Sequence, residues 1–269
     1  WWRKNSGRRA EMRRLSILGA ALGLIAVSAA AQDAAFLAPH EAIYELRRAD
    51  PRDPSVQDAY GEMRIRRTMT CVSVAERQSL RVVKVQRGQP SAIAQSADAY
   101  ESLDESVFRI SVAFDQGGAT AGRTILAAER LGDEVTLTQD GRAAAALPPD
   151  TRFPSGWLAA VLRAAQGGAA TVEGLLFDGA APDALRAQVL IASRRLYDGR
   201  HAGAPLPSPE IWPIRTAYYN RDSAAARPVL TTEAEYTSEG VAVSFLLPLS
   251  PAPMRARLTS LIYLDRPAC

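Results

Sequence analysis

From Gly61 to Cys71 the chain alternates without interruption. Gly61, Met63, Ile65, Arg67, Met69 and Cys71 fall on one face of an extended segment, and Glu62, Arg64, Arg66 and Thr68 fall on the other. A period of two belongs to a β-strand with one covered face and is incompatible with an amphipathic helix. The expectation is a strand that carries Cys71. The same period returns at Phe108, Ile110, Val112 and Phe114, followed by turn residues at 115–118. Residues 80–85, 134–138, 186–191, 215–219, 233–236, 240–245 and 256–263 read as further strands. Gly, Pro, Asp and Asn punctuate these runs, mostly with no helix between them, which predicts an all-β fold built on an antiparallel sheet and not βαβ units.

One helix is expected against this background, over residues 155–166. Ser155 is the expected cap, Gly167 and Gly168 end the segment, and Trp157, Leu158, Val161, Leu162 and Ala165 form one apolar stripe that can lie on a sheet. The alanines at 143–146 and the prolines at 148 and 149 read as a joint between two sheet-rich halves near residues 140–155 of one domain that spans 32–269. Pro205, Pro207 and Pro209 mark an extended loop.

Composition matters mainly for where the charge lies. The 269 residues include 32 Lys+Arg and 29 Asp+Glu, a net charge of +3. Six of those bases and one acid precede Gln32, so the other 238 residues hold 26 against 28. The basic balance belongs to the N-terminal segment, and a nucleic-acid partner is not expected. Hydrophobic content of 47% with 23% charged residues excludes a disordered or multi-span membrane chain. Met12, Arg13 and Arg14 precede an apolar run at 15–27 and the small residues Ser28, Ala29, Ala30 and Ala31. That order predicts a secretory signal peptide cleaved near Ala31, with residues 1–11 upstream of its start, and leaves no membrane span in the mature chain. Export to the periplasm would let Cys71 and Cys269, the two cysteines present, close a disulfide across 198 positions.

Several segments together resemble one family. They are Leu37-Ala38-Pro39-His40 leading into Ala42-Ile43-Tyr44-Glu45-Leu46, the stretch 147–154 before the helix, Phe177-Asp178-Gly179, Trp212-Pro213-Ile214, and the ending from Leu258 to Cys269. In this order they are similar to the EipB-like cell-envelope-integrity proteins of alphaproteobacteria, long labelled a domain of unknown function. The resemblance implies a periplasmic antiparallel β-spiral curled into an oblong, cup-like sheet, with a disulfide from an early strand to the C-terminus at the positions of Cys71 and Cys269. No enzymatic activity or cofactor is established for that family, so the resemblance transfers none. Two departures stand out. Relatives commonly carry a His at the start of the helix where this chain has Ser155-Gly156-Trp157, and the segment 248–253 is rich in proline where relatives run as a regular strand.

Candidate chemistry is sparse. His40, His201 and Lys84 are the imidazoles and the amine available after the leader. His40-Glu41-Ala42-Ile43-Tyr44 begins like a zinc-protease motif but places Tyr44 where the second His belongs, so no metal site is expected. Glu233 and Glu235 share a strand face, and Asp98, Glu101, Asp104 and Glu105 gather around Tyr100. Paired carboxylates suit glycoside hydrolysis only when a cleft separates their pKa values, and solvated edges and turns are the expected setting. Trp157, Trp212, Tyr218 and Tyr219 are candidates to line a concave surface for a ligand or partner. The reading is a non-catalytic periplasmic protein that supports envelope integrity by binding an envelope protein or an apolar ligand, with a lipid or lipoprotein carrier as the alternative and a hydrolase as a third class.

Overall fold

The computed structural model describes residues 36–52, 56–116, 119–180, 182–222, 227–249 and 252–269. The leader and its cleavage site lie outside the described residues. The strands are β1 (His40–Arg48), β2 (Asp58–Met69), β3 (Ser73–Gln86), β4 (Gln89–Ser102), β5 (Val107–Gln116), β6 (Ala119–Leu131), β7 (Glu134–Gln139) and β8 (Arg142–Leu147), then β9 (Thr151–Arg152) and the helix α1 (Pro154–Gln166). After the helix come β10 (Thr171–Leu176), β11 (Leu185–Ile191), β12 (Arg195–Leu196), β13 (Ala202–Gly203), β14 (Glu210–Asn220), β15 (Leu230–Thr237), β16 (Ala242–Leu247) and β17 (Met254–Tyr263).

Ladder partners arrange them as one ribbon in the order β8-β7-β6-β5-β4-β3-β2-β1-β17-β16-β15-β14-β11-β10-β9. These pairs are antiparallel apart from β9 with β10, and β13 adds a second parallel pair against β17. The ribbon's two ends, β8 and β9, are neighbours in sequence. The short turn between Leu147 and Thr151 therefore brings them together and curls the sheet into a barrel-like cup. Strand β1 closes the middle, between β2 and β17. An all-β antiparallel sheet with one packing helix is what the alternating sequence leads one to expect, and the cup is what the family resemblance implies.

The core divides along the ribbon. Tyr44, Leu46, Ile211, Met254, Ala256 and Leu261 pack under β1 and β17. The helix presses Trp157, Val161 and Leu162 onto Val189, Trp212 and Ile214. Phe108, Phe153 and Phe177 form a third group, with Phe108 stacked on Phe153 at 5.5 Å and edge-on to Phe177 at 5.8 Å.

Several local expectations need correction. β2 ends at Met69, so Cys71 stands in the bend between β2 and β3 and not on a strand. Thr70 shapes that bend: its hydroxyl accepts from the N–H of Val72 and of Ser73. The alanines at 143–146 form most of β8 instead of a joint. The helix starts one residue early, with Pro154 in its first turn, where a missing N–H costs nothing, and Phe153 at the cap. Ser155 is thus inside the helix. The proline-rich segment after β16 does not end the pairing, since Leu247 faces Met254 across the ladder.

Candidate functional site

A cavity of about 270 Å³ lies between the first two turns of α1 and the curled sheet. Its walls come from strands remote in sequence. β2 to β5 supply Arg67, Glu76, Glu101 and Phe108, β14 and β15 supply Thr216, Tyr218, Thr232, Ala234 and Tyr236, and the loop after β10 supplies Asp178. Trp157, Leu158 and Val161 of the helix cover it. Parity decides which side chains enter: Ile214, Thr216 and Tyr218 alternate with outward residues on β14, and Thr232 and Tyr236 do so on β15.

The floor is a cross-strand row of charged groups. The registers place His40 of β1 opposite Arg67 of β2, and Arg67 opposite Glu76 of β3. Arg67 donates from Nε and Nη2 to Glu76 Oε2 at 2.9 and 2.7 Å and from Nη1 to the Gly240 carbonyl at 3.3 Å. Gln78 donates to the other Glu76 oxygen at 2.6 Å. Burial works to raise the Glu76 carboxyl, but Arg67 and Gln78 outweigh it and hold the group below its ordinary value. His40 is bonded at Nδ1 to the Ala38 carbonyl at 2.8 Å, and burial with the adjacent Arg67 charge pushes its imidazole down to about 4. Because His40–Arg48 is a strand, the helical spacing of a zinc motif does not arise there.

At the helix end, Glu101 takes the place expected for Ser155. Its carboxylate accepts the N–H of Ser155 at 2.7 Å and of Gly156 at 2.9 Å, satisfying two of the N–H groups that a helix start leaves open. Burial raises Glu101 to about 7 against the lowering effect of those donors. Beside it, Glu105 is salt-bridged to Arg152 at 2.6 Å. Glu101 and Glu105 are 4% and 3% exposed, so the expectation of solvated turn carboxylates is wrong for both. Neighbouring carboxylates on a β4–β5 turn that meets a helix start carry a signal, but alternation alone does not show that a helix from fifty residues later will cover them. Asp178 is half-buried, its carboxyl raised by loss of solvent, and its Oδ1 accepts the Ala180 N–H at 2.9 Å.

The remaining candidates separate. Trp157 and Tyr218 face the cavity. Trp212 is buried against the far half of the helix, and Tyr219, next to Tyr218, turns outward beneath the Arg186 guanidinium at 4.9 Å. Glu233 meets Arg255 at 3.3 Å and Glu235 meets Arg195 at 2.7 Å, so each is in its own surface ion pair. Asp98 pairs with Arg77 at 2.6 Å, and Asp104 accepts from the Ser106 hydroxyl at 2.7 Å. Lys84 is buried toward the other end of β3, where burial lowers its pKa, and His201 bonds the Ala204 carbonyl through Nε2 at 2.9 Å. Cys71 and Cys269 are joined by a disulfide, with Cα atoms 5.6 Å apart. Sequence reasoning did not single out Glu76, Tyr236 or Thr216 for the site. Arg67 was visible as a charged residue on an otherwise apolar face.

Among the described residues no helix is long and apolar enough to cross a membrane. No protein of curated function matches the chain. Its fold is similar to the crystal structure of a beta-barrel-like protein of a domain of unknown function from Brucella abortus, with a TM-score of 0.75, 16% identity, and coverage of 85% of this chain and 99% of that one. The EipB-like family model matches residues 31–265, and the chain belongs to the EipB-like family.

Proposed function

We propose that this is a non-catalytic protein of the cell envelope that acts in the periplasm and supports envelope integrity by holding a small ligand or a partner's side chain in the cavity under α1. The observation that carries this reading is the cavity itself, with aromatic walls, a few polar groups that converge on it and a helix across its mouth, a common form for a binding site. The Cys71–Cys269 disulfide supports an oxidising compartment, and the leader expected at 12–31 supports export. The paired states of Glu233, Glu235 and Asp98 speak against their use as hydrolytic acids. Filling the cavity tests the reading. Cells lacking the protein should regain envelope integrity with the wild type and not with a folded Ala234→Trp variant, and equal complementation would overturn it.

A second reading, an acyl-chain carrier, draws on the face of β5 that continues outward from Phe108 through Ile110 and Val112 to Phe114, which is 48% exposed. Native mass spectrometry of the periplasmic protein separates the two. Co-purified lipid favours the carrier, and a lipid-free protein favours the small ligand.

A further inference from the structure

Two carboxyl groups, those of Glu101 and Asp178, line the cavity without an ion-pair partner among the described residues. Glu101 faces Phe108 across the β4–β5 ladder. A Cβ built on Gly179 would lie 3.5 Å from the Phe108 ring, so the Asp178-Gly179 loop packs on that residue as well. The hydrogen-bond donors on these carboxylates are backbone N–H groups: Ser155 and Gly156 on Glu101, Ala180 on Asp178. Arg67 is the one guanidinium of the described residues that lines the cavity, and Glu76 and the Gly240 carbonyl engage it. The lining therefore carries an excess of acid. Carboxylates withdrawn from water without a counter-charge are costly, Glu101 being buried and Asp178 half-buried, and a cation that brings its own charge reduces that cost. Trp157, Tyr218 and Tyr236 offer the aromatic faces on which an organic cation rests best.

Building on the reading of this cavity as a binding site, we infer that its ligand is a small organic cation, with an ammonium head drawn to the acidic lining that Glu101 and Asp178 provide and an apolar body against Trp157 and Tyr218. Size sets the limit on that body. A cavity near 150 Å³ takes a benzene ring, so 270 Å³ takes about ten heavy atoms. The groups around Glu101 are these: Glu105 stands beside it from the β4–β5 turn, paired with Arg152, which also donates to the Gly156 carbonyl; the Arg67–Glu76 pair and His40 lie on the floor, Tyr218 and Tyr236 line the cavity from β14 and β15, and the first turn of α1 contributes no acid. With Glu101 half-protonated at about 7, binding a cation to its ionised form expels a proton.

Isothermal titration of the folded chain with 2-phenylethylamine, 2-phenylethanol and phenylacetate tests the inference. At pH 8 the amine should bind saturably and about tenfold more tightly than the alcohol, with phenylacetate weakest. Asp178→Asn, whose carboxylate makes only a local turn contact, should weaken the amine about tenfold and leave the alcohol unchanged. Lowering the pH from 8 to 6 should weaken the amine about tenfold, since the ionised fraction of a group titrating near 7 falls by that factor. Glu101→Gln should abolish that pH dependence. Equal binding of amine and alcohol, tighter binding of phenylacetate, absence of amine binding, or indifference to Asp178→Asn would each overturn the cation. Equal binding of amine and alcohol would still leave the cavity a binding site, whereas complementation by Ala234→Trp would remove that role itself.

Discussion

A Cβ built on Gly156 would lie 2.1 Å from Glu105 Oε1, closer than any two unbonded atoms tolerate, and the carboxylate it meets is held by Arg152. Gly156→Ala must displace that salt bridge or the helix start, and should cost about 1 to 3 kcal/mol. An unchanged urea midpoint would show that Glu105 moves freely. Two nearby groups give pH dependences of opposite sign. Glu101 has its folded-state pKa raised from 4.5 to about 7, so the stability it contributes is full below 4.5 and is lost as pH rises to about 7. His40 has its own lowered from 6.5 to about 4, so its contribution is full above 6.5 and is lost as pH falls to about 4. Each shift corresponds to roughly 3 kcal/mol at most, and within the shared window they largely cancel. Glu101→Gln exposes the imbalance. The stability of the wild type minus that of the variant, from urea melts, should fall as pH rises from 4.5 to 7, and a level difference would show Glu101 ionised throughout.

Helix α1 owes its seating to another element. With Ser155 inside the first turn, the acceptor for the open N–H groups is Glu101 of β4, which ties the cover of the cavity to its wall. Glu101→Ala should leave those donors unsatisfied and speed hydrogen exchange in the first half of the helix about tenfold or more, while β16 and β17 keep their protection. Uniform acceleration would mean that the whole molecule had been loosened instead. The helix itself was legible from its apolar stripe, as were β2, β5, β7, β11 and β14 to β17 and the second half of β3 from their patterning. Strand β4 was not, because Ala92, Ala94, Ser96 and Asp98 offer no contrast with Ser91, Gln95 and Ala97 and little β-propensity. β8 failed for the same reason. Alanine has no preferred face, and what makes it a strand is the ladder from Val135–Leu147 to Gln139–Arg142 supplied by β7.

At the scale of the molecule, the cup exists because β8 and β9 are joined by a short turn and because β1 sits between β2 and β17. Neither fact is written in local patterning, which sets the face of each strand but not its neighbour. The cavity was hidden for the same reason: Arg67, Glu101, Asp178 and Tyr236 are separated by at least thirty residues each and meet only after the ribbon curls. The disulfide was legible, since two cysteines allow a single intramolecular pairing. It ties the β2–β3 bend to the tail beyond β17, a tail otherwise held by the Leu264 N–H on the Pro39 carbonyl at 3.0 Å and by Arg266 on the Phe36 carbonyl at 2.9 Å. Across a separation of 198 residues the chain-entropy account allows up to about 5 kcal/mol, nearly all of it from the unfolded state. Cys71→Ser and Cys269→Ser remove the same bond and should therefore lower the urea-derived stability by equal amounts within that ceiling, with the folded ladders intact by circular dichroism. A larger loss for Cys71→Ser would place part of the effect in the β2–β3 bend, where Thr70 and Ser73 hydroxyls meet at 2.8 Å, and would reduce the share owed to the crosslink.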